Sequence, residues 1–390
     1  MQLSTAVNDV CHTPRHAAHN CLRLWARNAT DGWDSDPFEP VRKDGKLYGR
    51  GVCDDKIHAI MIVKAVESFL QSGECCPVNL KVIIEGDEEG TSRGFIPWIK
   101  ANAALLESDY CLVCDGGMAS PDQPSICYGL RGGLVFNIDV RGPSNDLHSG
   151  AHGGCIHNPA QVVAELIAGL HDESGRISVP GFYDDVVAPT DDEREFLNKV
   201  PLTETELLEI TGAPKTWGEQ EYSLIERSTI RPTLEINGIF GGYSGDGIKM
   251  IIPAHAGAKI SCRLVENQKP AKLYELISDH LKSICPSTVN LKIECMAEAD
   301  PVSTALDGPL VESAKRAYQH HWGAPMQYRR MGGSVPMVPI LQNELNIPCL
   351  LIGFNVPGSF PHGANENIHI ELFKKGIDTL TVLFRNIGSV

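Results

Sequence analysis

VIIEGDEEGTS, residues 82–92, is an apolar run that passes into four acidic residues within five positions. The apolar half predicts a buried strand over residues 78–87, and the acidic half lies at its carboxyl end. Carboxylates crowded beside a buried element repel one another strongly, so either they take up protons or a cation neutralises them. The stretch therefore predicts one strand of an α/β sheet whose carboxyl end holds a metal ion.

Length and charge narrow the class of protein. The chain has 390 residues, 42% of them hydrophobic, and a net charge of −15. This length predicts about two domains with packed cores. The negative charge disfavours nucleic acid or an anionic membrane as a partner, and no apolar stretch approaches the roughly 20 residues of a membrane span.

The cysteines give an expectation about location. Thirteen are scattered along the chain, and residues 1–20 lack the apolar segment of a secretory signal. We expect reduced, mostly buried thiols in a cytoplasmic protein. Cys111 and Cys114 lie in an apolar, strand-like run, which favours a core position over a redox or zinc pair.

The order of predicted elements gives the fold class. The sequence predicts a helix at 57–73 and strands at 78–87 and 108–117. Strands and helices of these lengths predict a mostly parallel sheet with flanking helices. From residue 128 the strands alternate apolar and polar residues, as in an antiparallel sheet with one exposed face. We predict an α/β domain formed by residues 1–127 and 294–390, and an inserted α+β domain over 128–293.

Acidic residues follow several predicted strands. Asp54 follows LYGRGVC, Glu88 and Glu89 follow the strand at 78–87, and Asp115 follows the next strand. Ligands of parallel sheets bind at the carboxyl ends of the strands. His362, in the loop PHGANE, offers the imidazole that a zinc site prefers. Together these residues predict a metal site at this edge of the sheet.

Several motifs carry a family resemblance: DGWDSDPFEPVRKDGKLYGRGVCDDK (31–56), EGDEEGTS (85–92), YGLRGG (128–133), DLHSG (146–150), RMGGSVP (330–336) and HGANE (362–366). Together they resemble the co-catalytic metallopeptidases of clan MH, and among these the carnosinase-type cytosolic dipeptidases. Aminoacylases and succinyl-diaminopimelate desuccinylases belong to the same clan.

The resemblance implies two divalent ions, zinc, manganese or cobalt, bridged by Asp54. It implies Asp115 as a ligand of one ion, with Glu89 and His362 as ligands of the other. Glu88 is then the general base that takes a proton from a water bridging the ions and passes it to the leaving amine of a small peptide.

The resemblance also assigns roles in the inserted domain. His148 is implied to reach the active site of a partner subunit and stabilise the oxyanion, in a homodimer formed through residues 128–293. Arg263 is implied to clamp the C-terminal carboxylate of the substrate. Gly332, Gly333 and Ser334 would lie near the same carboxylate, and Asn237 would line the cleft.

The sequence departs from the family pattern near its beginning. A Gly-His-x-Asp motif, whose histidine is a metal ligand in the family, is absent from HNCLRLWARNAT (19–30). One interpretation is a first segment of about thirty residues that is out of frame or differently spliced, so that only one ion is retained. The other is replacement of the ligand by His12, His16 or His19.

Three functions follow from these observations. A dipeptidase leads, because the carnosinase-like motifs are many and ordered. A catalytically impaired pseudoenzyme is the alternative that the missing histidine favours, and an N-acyl amino acid amidohydrolase would share the metal ligands. A nucleotide-dependent oxidoreductase is disfavoured, because no GxGxxG opens a helix after a strand.

Overall fold

The computed structural model describes residues 32–86, 88, 94–199, 203–333, 335 and 337–389. The predictions for His12, His16, His19, Glu89 and Ser334 lie outside these ranges. The helices are α1 Ile57–Ser72, α2 Phe95–Ala101, α3 Ala103–Leu106, α4 Ser149–His152, α5 Pro159–Ala168, α6 Asp191–Asn198, α7 Glu204–Thr211, α8 Leu224–Thr229, α9 Pro270–Ile284, α10 Pro309–Trp322, α11 Met337–Leu345 and α12 Ile370–Ile387. The strands are β1 Val41–Lys43, β2 Lys46–Tyr48, β3 Cys111–Gly117, β4 Ser125–Leu130, β5 Gly132–Arg141, β6 Leu147–His148, β7 Thr233–Gly241, β8 Ile251–Ile252, β9 His255–Leu264, β10 Asn290–Ala299, β11 Val302–Ser303, β12 Gln327–Met331, β13 Cys349–Asn355 and β14 Asn367–His369.

The chain divides into two compact units. The first contains residues 1–128, 304–329 and 337–390, and the second contains residues 129–303 and 330–336. Each has its own cluster of buried apolar side chains.

The first unit has a mixed sheet flanked by helices. β13 runs parallel to β3 and antiparallel to β4. α1, α10 and α12 contribute to the same buried cluster, in which Met61, Phe69 and Tyr318 are almost fully enclosed. Each of these helices has apolar residues at intervals of three and four, which place one apolar face toward the sheet. The predicted helix at 57–73 and the predicted strand at 108–117 are confirmed.

A double irregularity marks the carboxyl ends of β3 and β13. Ile352 pairs with Cys114, but Gly353 pairs with Gly116, so Asp115 is an extra residue in β3. Phe354 is the corresponding extra residue in β13. The backbones approach so closely here that a Cβ on Gly353 would lie 1.9 Å from the carbonyl oxygen of Gly116. Bulges of this kind redirect a side chain beside a site.

The predicted strand over 78–87 is wrong as far as the structure describes that segment. Residues 79–85 have no regular secondary structure, and the side chain of Ile84 is 65% exposed. A strand needs a hydrogen-bonded neighbour, and within the described residues no strand pairs with this segment.

The second unit is an antiparallel sheet with the strand order β10-β5-β9-β7. α5 and α9 contribute Val162, Leu166, Ile277 and Leu281 to the core against the inward face of the sheet. The outward residues of β5 alternate with the buried ones, as predicted for the strands that follow residue 128. No helix within the described ranges is long and apolar enough to cross a membrane.

Candidate metal centre

The turn Val52–Lys56 places two adjacent carboxylates between β2 and α1. Gly51 enters the turn at a φ of 77°, a conformation that favours glycine. Asp54 and Asp55 have non-helical backbone angles, and the peptide bond between them is cis. Both side chains are partly buried, so their environment is less screened than open solvent.

Strand pairing brings a second segment to this turn. β14 pairs antiparallel with β2, with Asn367 opposite Tyr48. The loop 359–366, which precedes β14, therefore lies beside the residues that follow β2. Phe360, His362 and Asn365 in this loop have φ values of 53°, 62° and 56°. Positive φ at such residues is uncommon and costs free energy, and it clusters at functional sites.

His362 and Asp54 meet where these two segments join. The Nε2 atom of His362 lies 2.8 Å from Oδ2 of Asp54. An imidazole nitrogen and a carboxylate oxygen at this separation are the donor types that zinc and manganese bind. Two of the residues predicted as metal ligands thus lie in direct contact.

Asp55 is engaged by a buried histidine, His58. The Nδ1 atom of His58 makes a short contact with Oδ1 of Asp55, while its Nε2 accepts a hydrogen bond of 2.9 Å from the backbone N–H of Phe354. Because Nε2 is an acceptor, the neutral ring carries its proton on Nδ1. Burial lowers the pKa of His58 to about 4. Burial and the charge of Asp54 raise the pKa of Asp55 to about 9.

Asp115 lies at the bulge where β3 ends, next to the buried Cys114. Burial raises the pKa of the Cys114 thiol, and the charges of Asp55 and Asp115 add to that rise. The two carboxylates therefore act on the same buried sulfur, although they come from different segments. The side chain of Asn355, at the end of β13, donates to the carbonyl of Cys53 at 2.9 Å and fixes the Asp54 turn to the strand ends.

Glu88 is partly buried, and Glu89 lies outside the described residues. Within the part of the chain that the structure describes, no group of three or more His, Cys, Asp or Glu side chains is arranged to hold a metal ion. Asp54 and His362 are the predicted ligands that the structure brings into contact.

His148 caps a short helix in the second unit. Its Nδ1 accepts a hydrogen bond of 2.9 Å from the N–H of Gly150, and the residue is exposed. In the neutral ring the proton is therefore on Nε2, which can donate to an oxyanion.

The other predicted binding residues also lie in the second unit. Arg263 is on β9, exposed, and opposite Gly133 of β5. Arg131, just before β5, donates from Nε to the carbonyl of Gly332 at 2.8 Å. Burial and the charge of Arg263 lower the pKa of Arg131 to about 10, so the two guanidinium groups are neighbours. Gly333 is exposed, and Asn237 is the extra residue of a bulge in β7.

Sequence reasoning missed three residues of this centre: Arg50, His58 and Glu366. Glu366 and Arg50 form a buried ion pair of 2.8 Å across 316 positions of the chain. The available signal was weak. Glu366 is a lone acid between a Gly/Asn-rich loop and an apolar strand, where a buried charge requires a partner.

A carboxylate and an imidazole, two donor types that divalent metals bind, meet at this site. The comparisons give the family. The model of "Peptidase family M20/M25/M40" matches residues 24–386, and the chain belongs to this family. Its relatives in the family include metallodipeptidases.

Relatives and solved structures agree with that assignment. The chain is 31% identical over 378 residues to the Cys-Gly metallodipeptidase dug1 of Schizosaccharomyces pombe, covering 95% of this chain and 79% of that protein. It is 29% identical to the Beta-Ala-His dipeptidase of Homo sapiens, covering 92% of this chain and 72% of that protein. The structure of human carnosine dipeptidase 1 superposes with a TM-score of 0.79 at 28% identity, over 93% of this chain and 77% of that one. The metallo-carboxypeptidase Sso-CP2 of Sulfolobus solfataricus gives 0.82 at 27% identity, over 92% and 82%.

Proposed function

We propose that this protein hydrolyses the peptide bond of dipeptides or short peptides in a metal-dependent reaction. The observation that carries the proposal is the contact of 2.8 Å between Asp54 and His362. It joins two of the motifs on which the family resemblance rests and provides two donor atoms of the kinds that divalent metals prefer. The similarity to Cys-Gly and Beta-Ala-His dipeptidases supports small dipeptides as substrates.

The residues fit divalent ions by their chemistry. Asp54, His362 and Glu89 would hold one ion, and Asp54 and Asp115 would hold a second. The ions, zinc, manganese or cobalt, supply Lewis acidity that acidifies a water molecule and polarises the scissile carbonyl.

The protein's own groups would carry the proton and orient the substrate. Glu88 takes the proton of the attacking water and delivers it to the leaving nitrogen, so one carboxylate both accepts and returns the proton. Arg263 pairs with the substrate's carboxylate, with Gly333, Ser334 and Asn237 around it. His148 donates from Nε2 to the oxyanion in the active site of a partner subunit.

Dimerisation is part of the proposal. β7 is an edge strand, and the segment from its end to β8 exposes Ile239, Phe240, Tyr243, Ile248 and Met250. An exposed apolar edge of this size favours association with another chain. We also propose that the protein works in the cytoplasm, since eleven cysteines of the described chain are free thiols.

The test is turnover together with metal content. The purified chain is equilibrated with zinc, manganese or cobalt, freed of loose ions, and assayed with Cys-Gly, β-Ala-His and a set of N-acyl amino acids. We expect dipeptide hydrolysis that a chelator abolishes. Glu88→Gln should lower kcat by at least about 10²-fold with metal content unchanged.

The controls separate the alternatives. A chain that binds one ion or none and hydrolyses no dipeptide would support the impaired pseudoenzyme instead. Preference for N-acyl amino acids over dipeptides would support the amidohydrolase. Glu275→Gln on the surface of α9 is the matched control for Glu88→Gln and should leave turnover unchanged.

A further inference from the structure

Glu366 is a fully buried carboxylate that binds backbone N–H groups of the Asp54 turn. Its Oε2 accepts hydrogen bonds of 2.8 Å from Nη1 of Arg50 and 2.8 Å from the N–H of Gly51. Its Oε1 accepts bonds of 2.9 Å from the N–H of Cys53 and 3.1 Å from the N–H of Asp54. Both oxygens therefore accept hydrogen bonds. Three of the four donors are the backbone N–H groups of Gly51, Cys53 and Asp54, and Asp54 is a predicted metal ligand.

The hydrogen bonds to Glu366 replace the backbone hydrogen bonds that a regular helix would supply to these N–H groups. The turn Val52–Lys56 has non-helical angles at Asp54 and Asp55, so its N–H groups cannot all find partners along a helix. A buried N–H without an acceptor is costly, and a carboxylate is the strongest acceptor that a side chain offers. Glu366 thereby fixes the path of the backbone that presents the Asp54 side chain.

Arg50 completes the connection to the opposite segment. While Nη1 binds Glu366, Nη2 donates to the carbonyl of Gly363 at 2.9 Å and to that of His362 at 3.4 Å. The Arg50 side chain is 8% exposed and lies over the ring of Trp33 at 5.1 Å. A planar guanidinium suits this double contact, because its two Nη atoms point in fixed directions.

The pair therefore acts on both predicted ligands at once. Glu366 holds the backbone of Asp54, Arg50 holds the backbone of His362, and the ion pair joins the two. The loop around His362 has three residues at positive φ, so it needs external bonds to keep that shape.

We propose that Glu366 and Arg50 are positioning residues, which set the separation of Asp54 and His362 and thereby the affinity of the centre for a divalent ion. The inference rests on the proposed function, because it takes Asp54 and His362 as metal ligands. Neither Glu366 nor Arg50 is assigned a contact with metal or substrate.

The first test compares two buried carboxylates. Glu366→Gln keeps the size of the side chain but turns one acceptor oxygen into an amide donor that faces other donors. Glu219→Gln is the matched control, since Glu219 is also buried and binds Arg231 through both oxygens in the second unit. Zinc affinity is measured by competition with a chromophoric chelator at a temperature where both variants are folded.

We expect Glu366→Gln to lower zinc affinity about 10–100-fold, the range for partners that orient ligands. Glu219→Gln should lower the melting temperature and leave zinc affinity within about twofold. A folded Glu366→Gln that binds zinc like the wild type would overturn the inference. A wild-type chain that binds no zinc would overturn the proposed function instead.

A second variant and a metal-free measurement keep the test decisive if Glu366→Gln does not fold. Arg50→Lys keeps the charge beside Glu366 but cannot reach both Glu366 and the carbonyl of Gly363, and we expect a loss of zinc affinity in the same direction. Amide hydrogen exchange of the metal-free protein reports on the turn itself. Protection of residues 51–54 should fall in Arg50→Lys and stay unchanged in Glu219→Gln, and unchanged protection in Arg50→Lys would count against the positioning role.

Discussion

His58 shows how one buried side chain connects three elements of the first unit. It starts on α1, contacts Asp55 in the preceding turn, and accepts the N–H of Phe354, the extra residue of β13. That N–H has no place in the sheet ladder, so His58 supplies an acceptor that the bulge requires. Its ring also stacks on Phe354 with centroids 6.0 Å apart.

The buried neutral state of His58 predicts a pH dependence of stability. In the unfolded chain the ring takes up a proton as the pH falls through about 6.5, whereas burial holds the folded pKa at about 4. The unfolded state then binds more protons than the folded state between these values, so the contribution of His58 to the free energy of unfolding is present above about pH 6.5 and is lost as the pH drops toward 4. We expect a loss on the order of 2 kcal/mol between pH 7 and pH 5 from this residue.

Urea unfolding at both pH values measures this loss. His58→Gln should be less stable than the wild type at pH 7 but lose less stability on going to pH 5. His152→Gln, at an exposed histidine, is the control and should follow the wild type. An identical pH dependence in His58→Gln and the wild type would exclude His58 as the cause.

Single residues also show the limit of sequence reasoning at this site. Asp54 and His362 could be predicted because each lies in a motif whose residue types indicate metal binding. Glu366 and Arg50 stand in the same motifs, yet their partners are backbone N–H and carbonyl groups more than 300 positions away. No pattern in the sequence identifies such partners, because they depend on the pairing of β2 with β14.

Among the elements, β3 and β13 together fix the position of Asp115. The paired bulges add one residue to each strand, and Asp115 is the added residue in β3. The apolar run before Asp115 predicted the strand correctly. The bulge could not be predicted, since it arises from the close approach of Gly116 and Gly353 across two distant segments.

A side chain on Gly353 should disrupt this approach. In Gly353→Ala the new methyl group would lie 1.9 Å from the Gly116 oxygen, so the strands must separate. We expect the free energy of unfolding to fall by about 3 kcal/mol or more. Gly308→Ala, where a Cβ meets nothing within 4 Å, is the control and should change stability little. Thermal or urea unfolding checks both, and equal stability of the two variants would contradict the argument.

For the segment 78–87, by contrast, the sequence predicts a strand that does not form within the described residues. Its composition is that of a strand, but a strand is a property of a pair, and within the described residues no partner strand lies beside it. The exposure of Ile84 is the result. Propensity predicts what a segment can form, while the neighbouring segment decides whether it forms.

The whole molecule is two units with separate apolar cores, and each has a different predicted task. The first unit contains the predicted metal ligands, and the second contains His148 and Arg263. The exposed apolar side chains at the end of β7 and in the segment that follows it belong to the second unit. Their number predicts association of two chains through that unit.

Self-association can be tested by replacing each of two exposed isoleucines of the second unit with lysine. Ile248 is 94% exposed beside β8, and Ile210 is 76% exposed on α7 of the same unit. We expect Ile248→Lys to raise the dimer dissociation constant at least about 10-fold, because a buried unpaired ammonium is costly. Ile210→Lys should leave it unchanged. Sedimentation equilibrium measures both, and a wild-type chain that stays monomeric at micromolar concentration would contradict the prediction.

The contact of Glu366 with the N–H of Asp54 spans 312 positions of the chain, and this has a consequence for synthesis. On the ribosome, Asp54 leaves the exit tunnel long before residues 362–366 have been joined to the chain. For most of translation the Asp54 turn therefore lacks the carboxylate that fixes it and the imidazole that faces it. Ion uptake at the site that Asp54 shares with His362 must therefore wait until residue 362 has been added, and a nascent chain stalled before that residue should bind no ion at this site.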